Sequence, residues 1–174
     1  MKYFYLILNP QKAGAVEMAE QIQEYLLNHG CTCQIQGELE QEKGFSYRYT
    51  NACQVPENTE CVITLGGDGT LIQAARDLAG RRLPILGVNM GNVGYLTQIG
   101  RQEDVAGMLE DLIHDQYRLE KRMMLKGTVL RGGRAIKEDL ALNEVVISRR
   151  EILRLLKLKV FVNGEPLHQY QADG

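Results

Sequence analysis

The sequence has almost no net charge, no long hydrophobic run and no paired cysteine motif. Twenty Lys and Arg residues stand against twenty-two Asp and Glu residues, which gives a formal net charge of −2. A balance of this kind provides no whole-protein attraction to nucleic acid or to an acidic membrane. We therefore expect neither nucleic acid nor membrane as a partner, and we interpret the denser basic residues after Arg131 as solvated faces of strands.

The hydrophobic runs are short. The N-terminal run ends at Asn9-Pro10, too early for a signal sequence or a membrane span, and no later run approaches membrane length. With 44% hydrophobic and 24% charged residues among 174, the composition is that of an ordinary globular protein with one good-sized core or two small ones. A cytoplasmic location is expected.

The four cysteines do not form a zinc pattern. Cys31 and Cys33 make a Cys-x-Cys pair, whereas Cys53 and Cys61 are isolated. Zinc knuckles need paired Cys-x-x-Cys spacing, so zinc is not predicted. We interpret all four as small buried hydrophobic residues in a reducing compartment.

The most informative stretch that is present is the glycine-rich turn Gly66-Gly67-Asp68-Gly69-Thr70. It joins a predicted buried strand, Cys61–Leu65, to an apolar pattern with helical spacing that starts at Leu71. Such a turn aims free N–H groups at a ligand and suits a phosphate. A carboxylate there repels phosphate unless it holds a metal ion, accepts a hydroxyl proton or orients a sugar hydroxyl. Alternatively, Asp68 or Thr70 only caps the helix.

The first two thirds of the chain alternate between strand and helix patterns. Strands are predicted at 3–8, 32–35, 61–65 and 85–88, and helical apolar faces at Ala15, Ala19, Ile22 and Leu26 and again from Val105 to Ile113. This order predicts a parallel sheet whose ligands bind at the carboxyl ends of the strands. Residues 36–60 are not assigned; Phe45, Tyr47 and Tyr49 alternate there, and ordinary packing is the preferred interpretation.

A second glycine-rich loop, residues 87–96, follows the last of these strands. Its spacing is neither Gly-x-Gly-x-x-Gly nor Gly-x-x-x-x-Gly-Lys. The common dinucleotide-binding fingerprint and the common phosphate-loop fingerprint are therefore both absent from it. Two such loops can face one crevice.

The pattern changes near residue 117. Successive strands without helices are predicted at 123–130, 135–136, 140–148 and 153–162, and the last leads into an Asn163-Gly164 hairpin turn. We predict an α/β nucleotide-binding domain at 1–116 and the beginning of an antiparallel all-β domain at 117–174. The second part offers little core of its own, so we expect it to be truncated.

Several motifs together resemble the NAD kinase family, and they are spread over the whole chain. They are Gly66-Gly67-Asp68-Gly69-Thr70, the loop from Gly87 to Leu96, Glu120-Lys121-Arg122-Met123-Met124-Leu125, Asn143-Glu144 and Ala172-Asp173-Gly174. GGDGT alone is shared with lipid kinases and, in variant form, with phosphofructokinases. The Gly-Val-Asn-x-Gly loop is typical of NAD kinases. The fold implied is a Rossmann-like parallel-sheet domain followed by antiparallel β structure, as in the NAD kinase and diacylglycerol kinase-like superfamily.

The resemblance implies phosphorylation of the 2′-hydroxyl of the adenosine ribose of NAD by ATP or polyphosphate, giving NADP. It also implies a divalent metal ion, Mg²⁺, with the phosphoryl donor, and a homodimer or homotetramer. Asp68 matches the family's proton acceptor. The family's dinucleotide contacts match Asn143, Glu144 and Asp173, and Arg154 falls where the family sometimes places a further binding residue. The two glycine loops would add Gly66, Gly67, Gly69, Thr70, Asn89 and Tyr95 to the nucleotide site.

Simpler roles exist for some of these residues. Asn143 and Glu144 could be a β-bulge or a polar pair on an edge strand. Tyr95 could belong to the core or stack on a base. A lipid or sugar kinase, or a nucleotide-binding module without catalysis, is the alternative function. Because family members continue after Asp-Gly with a segment that closes over the substrate, we expect the 174-residue chain alone to be inactive or very weak.

Overall fold

The computed structural model describes residues 1–37, 50–91, 94–97, 99, 102–149 and 155–174. The chain forms two compact units, Met1–Met124 and Leu125–Gly174, called unit 1 and unit 2 below. The two compact units divide after Met124. The domain boundary that we expect near residue 117 stays a prediction.

Unit 1 alternates strands and helices, as the apolar patterns predict. Its elements are β1 (Tyr3–Leu8), α1 (Ala15–Asn28), β2 (Thr32–Ile35), β3 (Cys61–Gly66), α2 (Asp68–Asp77), β4 (Ile85–Asn89) and α3 (Gln102–Ile113). Gly30, just past the end of α1, has a φ of 73°, the left-handed conformation that glycine adopts most readily and that commonly ends a helix.

The four strands form one parallel sheet in the order β2-β1-β3-β4. The chain moves from β1 outward to β2 and from β3 outward to β4, so the strand order reverses between β1 and β3. In open α/β sheets ligands bind outside the carboxyl ends of the strands at such a point. The predicted parallel α/β class is confirmed.

The core of unit 1 lies on both faces of the sheet because β1 and β3 are central and their side chains alternate. Phe4 and Leu6 pack with α1 and α3, whereas Tyr5 and Ile7 pack with α2 on the other face. The predicted inner face of α1 is confirmed, since its four residues are all buried: Ala15, Ala19, Ile22 and Leu26.

Three of the four cysteines are buried as expected, and Cys53 is not. Burial raises the pKa of the Cys33 thiol, with a smaller effect from Cys31, and raises that of Cys61; both reach about 12. Cys53 lies in a one-turn 3-10 helix, Ala52–Gln54, that buries none of its residues, and its thiol is exposed. The prediction of a fourth buried cysteine was wrong because a short turn has no inner face.

Unit 2 consists of two antiparallel hairpins. One pairs β5 (Leu125–Arg131) with β6 (Arg134–Ala141), and the other pairs β7 (Leu156–Val162) with β8 (Glu165–Ala172). The turn residues Asn163 and Gly164 have φ values of 52° and 88°, so both occupy the left-handed region that two-residue hairpins need. The antiparallel prediction is confirmed.

The predicted strand at 140–148 was wrong. The pairing with β5 ends at Ala141, and residues 142–149 form no strand. An apolar run becomes a strand only where a neighbouring ladder receives its N–H and C=O groups. Among the described residues, the one backbone hydrogen bond of this segment joins the Arg149 N–H to the Asp173 carbonyl at 2.9 Å.

None of the helices in the described ranges is both long and apolar enough to span a bilayer.

Candidate functional site

The GGDGT turn makes a tight connection between β3 and α2. Gly66 is the last residue of β3, and Gly67 is an extended N-cap residue without a side-chain cap. The Gly67 carbonyl accepts the N–H groups of Thr70 at 3.0 Å and Leu71 at 3.4 Å. The helix therefore begins at Asp68 and not at Leu71, and the alternative in which Asp68 or Thr70 only caps the helix is not observed.

The Asp68 carboxylate is held by the second glycine-rich loop. Its Oδ2 accepts the N–H of Tyr95 at 2.8 Å, and its Oδ1 accepts both the N–H and the hydroxyl of Thr97 at 3.0 Å. The Leu96 N–H is shared between the two oxygens at 3.2 and 3.3 Å. The structure thus brings together the two glycine loops that sequence patterns predict at neighbouring strand ends.

These hydrogen bonds lower the pKa of Asp68. Burial acts in the opposite direction and is the largest single influence, but the bonds from Tyr95, Thr97 and Leu96 together outweigh it. A carboxylate at the start of a helix also benefits from the positive end of the helix dipole. Asp68 is therefore ionised at neutral pH.

The acceptor positions of the carboxylate are filled, which leaves none for a metal ion. Two carboxylate oxygens offer about four lone-pair sites, and four donor groups from residues 95–97 already contact them. Nowhere in the described ranges do three His, Cys, Asp or Glu side chains group as metal ligands. Since Mg²⁺ needs near-octahedral oxygen ligands, the described residues do not fit a metal held by the protein itself.

The glycines of the site divide into two kinds. A Cβ at Gly66 would overlap the Thr70 hydroxyl, and one at Gly94 would overlap Asp68 and Thr97. At Gly67 and Gly69 a Cβ would meet nothing within 4 Å, and neither residue has a positive φ. Packing explains the first pair. At the second pair the space beside the backbone is open, so a ligand could approach the backbone closely there.

The other predicted residues of unit 1 lie close to this turn. Asn89 is paired with Gly66 in the sheet register, is 8% exposed, and accepts the Gly91 N–H with its side chain at 3.0 Å. Thr70 is buried. Tyr95 is 85% exposed, so it does not belong to the core of unit 1 and its ring is available to a ligand.

A cavity of about 400 Å³ lies near the same edge of the sheet, between the start of α1 and the end of β4. Its lining includes Gly14, Met18, Asn89, Met90 and Val105. Because Asn89 borders both this cavity and Gly66, the cavity adjoins the point where the strand order reverses. Asp68 does not line it.

The predicted residues of unit 2 that the structure describes are exposed. The Asn143 side-chain amide donates to the Glu144 carboxylate, and both side chains face solvent. Asp173 forms an ion pair with Arg149, with 3.1 Å between Oδ1 and Nη1. Arg154 lies outside the described residues. A β-bulge at Asn143 and Glu144 is not observed, because the ladder of β6 ends before them.

Sequence reasoning missed three residues at these contacts: Leu96, Thr97 and Arg149. Two of them contact Asp68, and Arg149 contacts Asp173. Leu96 acts through its backbone, which no side-chain pattern reveals. Thr97 could have been noticed as the polar residue that directly follows the second glycine loop.

Comparisons with known proteins show the family to which the chain belongs. A family model described as the ATP-NAD kinase N-terminal domain matches residues 4–117. The chain is 46% identical over 178 residues to an NAD kinase of Lachnospira eligens, covering 100% of this chain and 59% of that protein. It is 36% identical over 174 residues to an NAD kinase of Geotalea daltonii, covering 100% of this chain and 61% of that protein. The chain thus spans about three fifths of the length of these relatives.

Two crystal structures share the fold. One is yeast NADH kinase complexed with NADH, with a TM-score of 0.78 and 19% identity over 99% of this chain and 56% of that chain. The other is an NAD kinase from Archaeoglobus fulgidus in complex with ATP, with a TM-score of 0.70 and 20% identity over 98% of this chain and 58% of that chain. At such identities the likeness concerns the fold alone. The match to residues 4–117 covers most of the sequence, and the chain therefore belongs to the ATP-NAD kinase N-terminal domain family.

Proposed function

We propose that this chain supplies the acceptor-side carboxylate of an NAD kinase, which transfers a phosphoryl group from ATP or polyphosphate to the 2′-hydroxyl of the adenosine ribose of NAD. The observation that carries the proposal is Asp68, an ionised carboxylate at the start of α2 beside two glycines with open space around them. Family membership and relatives named NAD kinase support the same assignment.

The chemistry requires one group to receive a proton. The 2′-oxygen forms a bond to the terminal phosphorus of the donor, the bond from that phosphorus to the leaving oxygen breaks, and the hydroxyl proton passes to a base. Phosphoryl transfer otherwise depends on positioning and on neutralising charge. In our proposal, Asp68 takes this proton.

The hydrogen bonds of Asp68 set a condition on this step. Because its acceptor positions are filled, a substrate hydroxyl has to replace one of the present donors. The Leu96 N–H is the longest contact and is shared between both oxygens, so it exchanges most readily. The other three contacts, at 2.8 to 3.0 Å, keep the carboxylate oriented during the exchange.

The remaining predicted residues enter as proposals. Tyr95 offers an exposed ring to a base, and Asn143, Glu144, Asp173 and Arg154 would contact the dinucleotide, with Gly66, Thr70 and Asn89 shaping the loops. Mg²⁺ would accompany the phosphates of the donor, since the described protein residues do not form a site for it.

A cytoplasmic location and a homodimer or homotetramer belong to the same proposal. Light scattering after size-exclusion chromatography tests the assembly.

The test is NADP formation by the complete reading frame, with NAD, diacylglycerol and fructose 6-phosphate as competing acceptors and ATP with Mg²⁺ as donor. We expect phosphorylation of NAD only. Transfer to either other acceptor, and not to NAD, would assign the protein to a lipid or sugar kinase. Asp68→Ala should abolish most of the rate of NADP formation but not NAD binding, whereas NAD binding without NADP formation by the wild type would indicate a binding module.

Gly69→Ala separates the ligand site from the fold. Alanine fits the helix at this position and should leave the free energy of unfolding unchanged or raise it by up to about 1 kcal/mol. The added methyl group would occupy the open space at Gly69 through which the ligand approaches the backbone in our proposal, so NADP formation should fall. Full activity in a stable Gly69→Ala protein would contradict a ligand approaching there.

A further inference from the structure

Thr97 is a buried polar residue that no motif of the sequence assigns to the site. It directly follows the second glycine-rich loop and is 5% exposed. Its methyl group faces β4, since a Cβ at Gly87 would lie 2.7 Å from Thr97 Cγ2. Packing on one side therefore fixes the rotamer that decides where its hydroxyl points.

That hydroxyl points at Asp68. The N–H and the Oγ1 of Thr97 both lie 3.0 Å from Asp68 Oδ1, so one residue supplies two donors to one carboxylate oxygen. The other donors to Asp68, from Tyr95 and Leu96, are backbone groups. Among the residues that the structure describes, Thr97 is thus the one that holds Asp68 with its side chain. A substitution at Thr97 can therefore change the orientation of the carboxylate.

The surrounding residues leave little room for another arrangement. Gly94 faces both Asp68 Oδ1 and the Thr97 hydroxyl so closely that a side chain there would overlap both. Asp68 is only partly buried and lies in the first turn of α2. Without the Thr97 hydroxyl, its Oδ1 would keep two N–H donors and could turn toward solvent.

We propose that Thr97 is a positioning residue for Asp68, holding the carboxylate in the orientation in which it receives the acceptor hydroxyl. The inference rests on the proposed phosphoryl transfer. It assigns Thr97 no contact with substrate. The substrate hydroxyl enters by replacing the Leu96 N–H. Thr97 meanwhile keeps Asp68 Oδ1 fixed.

The test compares Thr97→Val with Thr97→Ser in the complete reading frame. Valine keeps the shape and removes the hydroxyl, whereas serine keeps the hydroxyl and removes the methyl group. For a hydrogen bond to a charged group, we expect Thr97→Val to lower kcat roughly tenfold to hundredfold with a KM for NAD within about twofold of wild type. Thr97→Ser should recover most of kcat.

Thr64→Val is the matched control. Thr64 is also buried, and its hydroxyl donates to the Leu86 carbonyl at 3.3 Å rather than to Asp68. Losing this hydroxyl should leave kcat close to wild type. Equal losses of kcat in Thr64→Val and Thr97→Val, or equal losses in the valine and serine variants at position 97, would overturn the proposal.

A double-mutant cycle with Asp68→Ala completes the test. If Thr97 acts through Asp68, Thr97→Val should cause no further loss of rate in the Asp68→Ala protein; a further loss of the same size contradicts positioning. Should the wild type fail to phosphorylate NAD, the proposed function fails, and the same cycle is measured in urea unfolding. Non-additive effects of the two substitutions then support the contact, and additive effects reject it.

Discussion

At the scale of single residues, the glycines of the site differ in whether the packing around them leaves room for a side chain. Gly66 and Gly94 face atoms that a side chain would overlap, whereas Gly67 and Gly69 face open space. Sequence reasoning treats the glycines of a GGDGT motif as one phosphate-binding unit. The structure divides them, because packing against Thr70 requires glycine at position 66, whereas a side chain at Gly67 or Gly69 would meet no atom within 4 Å.

Gly94→Ala and Gly91→Ala should differ in their effects. A methyl group at Gly94 would overlap Asp68 and Thr97, and it would have to displace the carboxylate from its donors. A methyl group at Gly91 would meet only the end of the Lys12 side chain, at 3.3 Å, which can move away. We expect Gly94→Ala to lower the free energy of unfolding by about 1–3 kcal/mol and to lower NADP formation.

Urea unfolding of both variants in the complete reading frame measures this difference, and Gly91→Ala serves as the control with a change below about 0.5 kcal/mol. A Gly94→Ala protein as stable as the control would mean that the contact between Gly94 and the carboxylate is not maintained in solution.

At the scale of elements, hydrophobic period and turn residues predict unit 1 well. β1 and β2 are found at the predicted residues, and β3 and β4 each end one residue later than predicted. Each of the four strands is short and pairs with a central neighbour. The same reasoning failed at 142–149, where an apolar run has no ladder, and at Cys53, where a one-turn helix leaves its residues exposed. In both cases the outcome depends on long-range neighbours.

The cysteines should react at two distinct rates. Cys53 is exposed, whereas Cys31, Cys33 and Cys61 are buried in or beside the sheet, and burial raises the pKa of the Cys33 and Cys61 thiols to about 12. Since the thiolate is the reactive form, we expect an aromatic disulfide reagent to modify one thiol of this chain rapidly at pH 8. The other three should react only after denaturant unfolds the protein.

Cys53→Ser is the control and should remove the rapid phase without changing the slow one. A rapid phase of two or more equivalents from this chain would show that the sheet opens under native conditions.

At the scale of the whole molecule, the two units differ in how much core they contain. The buried hydrophobic residues of the described chain all belong to unit 1, whereas unit 2 exposes large apolar side chains such as Val146, Phe161 and Leu167. Two-stranded hairpins of this kind are marginal by themselves. The chain also spans only about three fifths of its relatives' length.

We therefore expect the 174-residue chain by itself to form NADP at a rate at least about a hundredfold below that of the complete reading frame, since substrate positioning is worth that much or more. Initial rates of both proteins with NAD and ATP measure the ratio. Comparable rates would show that the site needs no residue beyond this chain.

The sequence by itself determined the parallel sheet of unit 1, its two glycine loops, the family resemblance and Asp68 as the residue of interest. Those features follow from local periodicity, from turn chemistry and from residues that are neighbours along the chain. Only the tertiary structure decided that Asp68 is held by Tyr95, Leu96 and Thr97, and that Gly67 and Gly69 face open space. Most of those contacts are made by backbone N–H groups, which every non-proline residue carries, so only the folding of the second loop onto the first could reveal them.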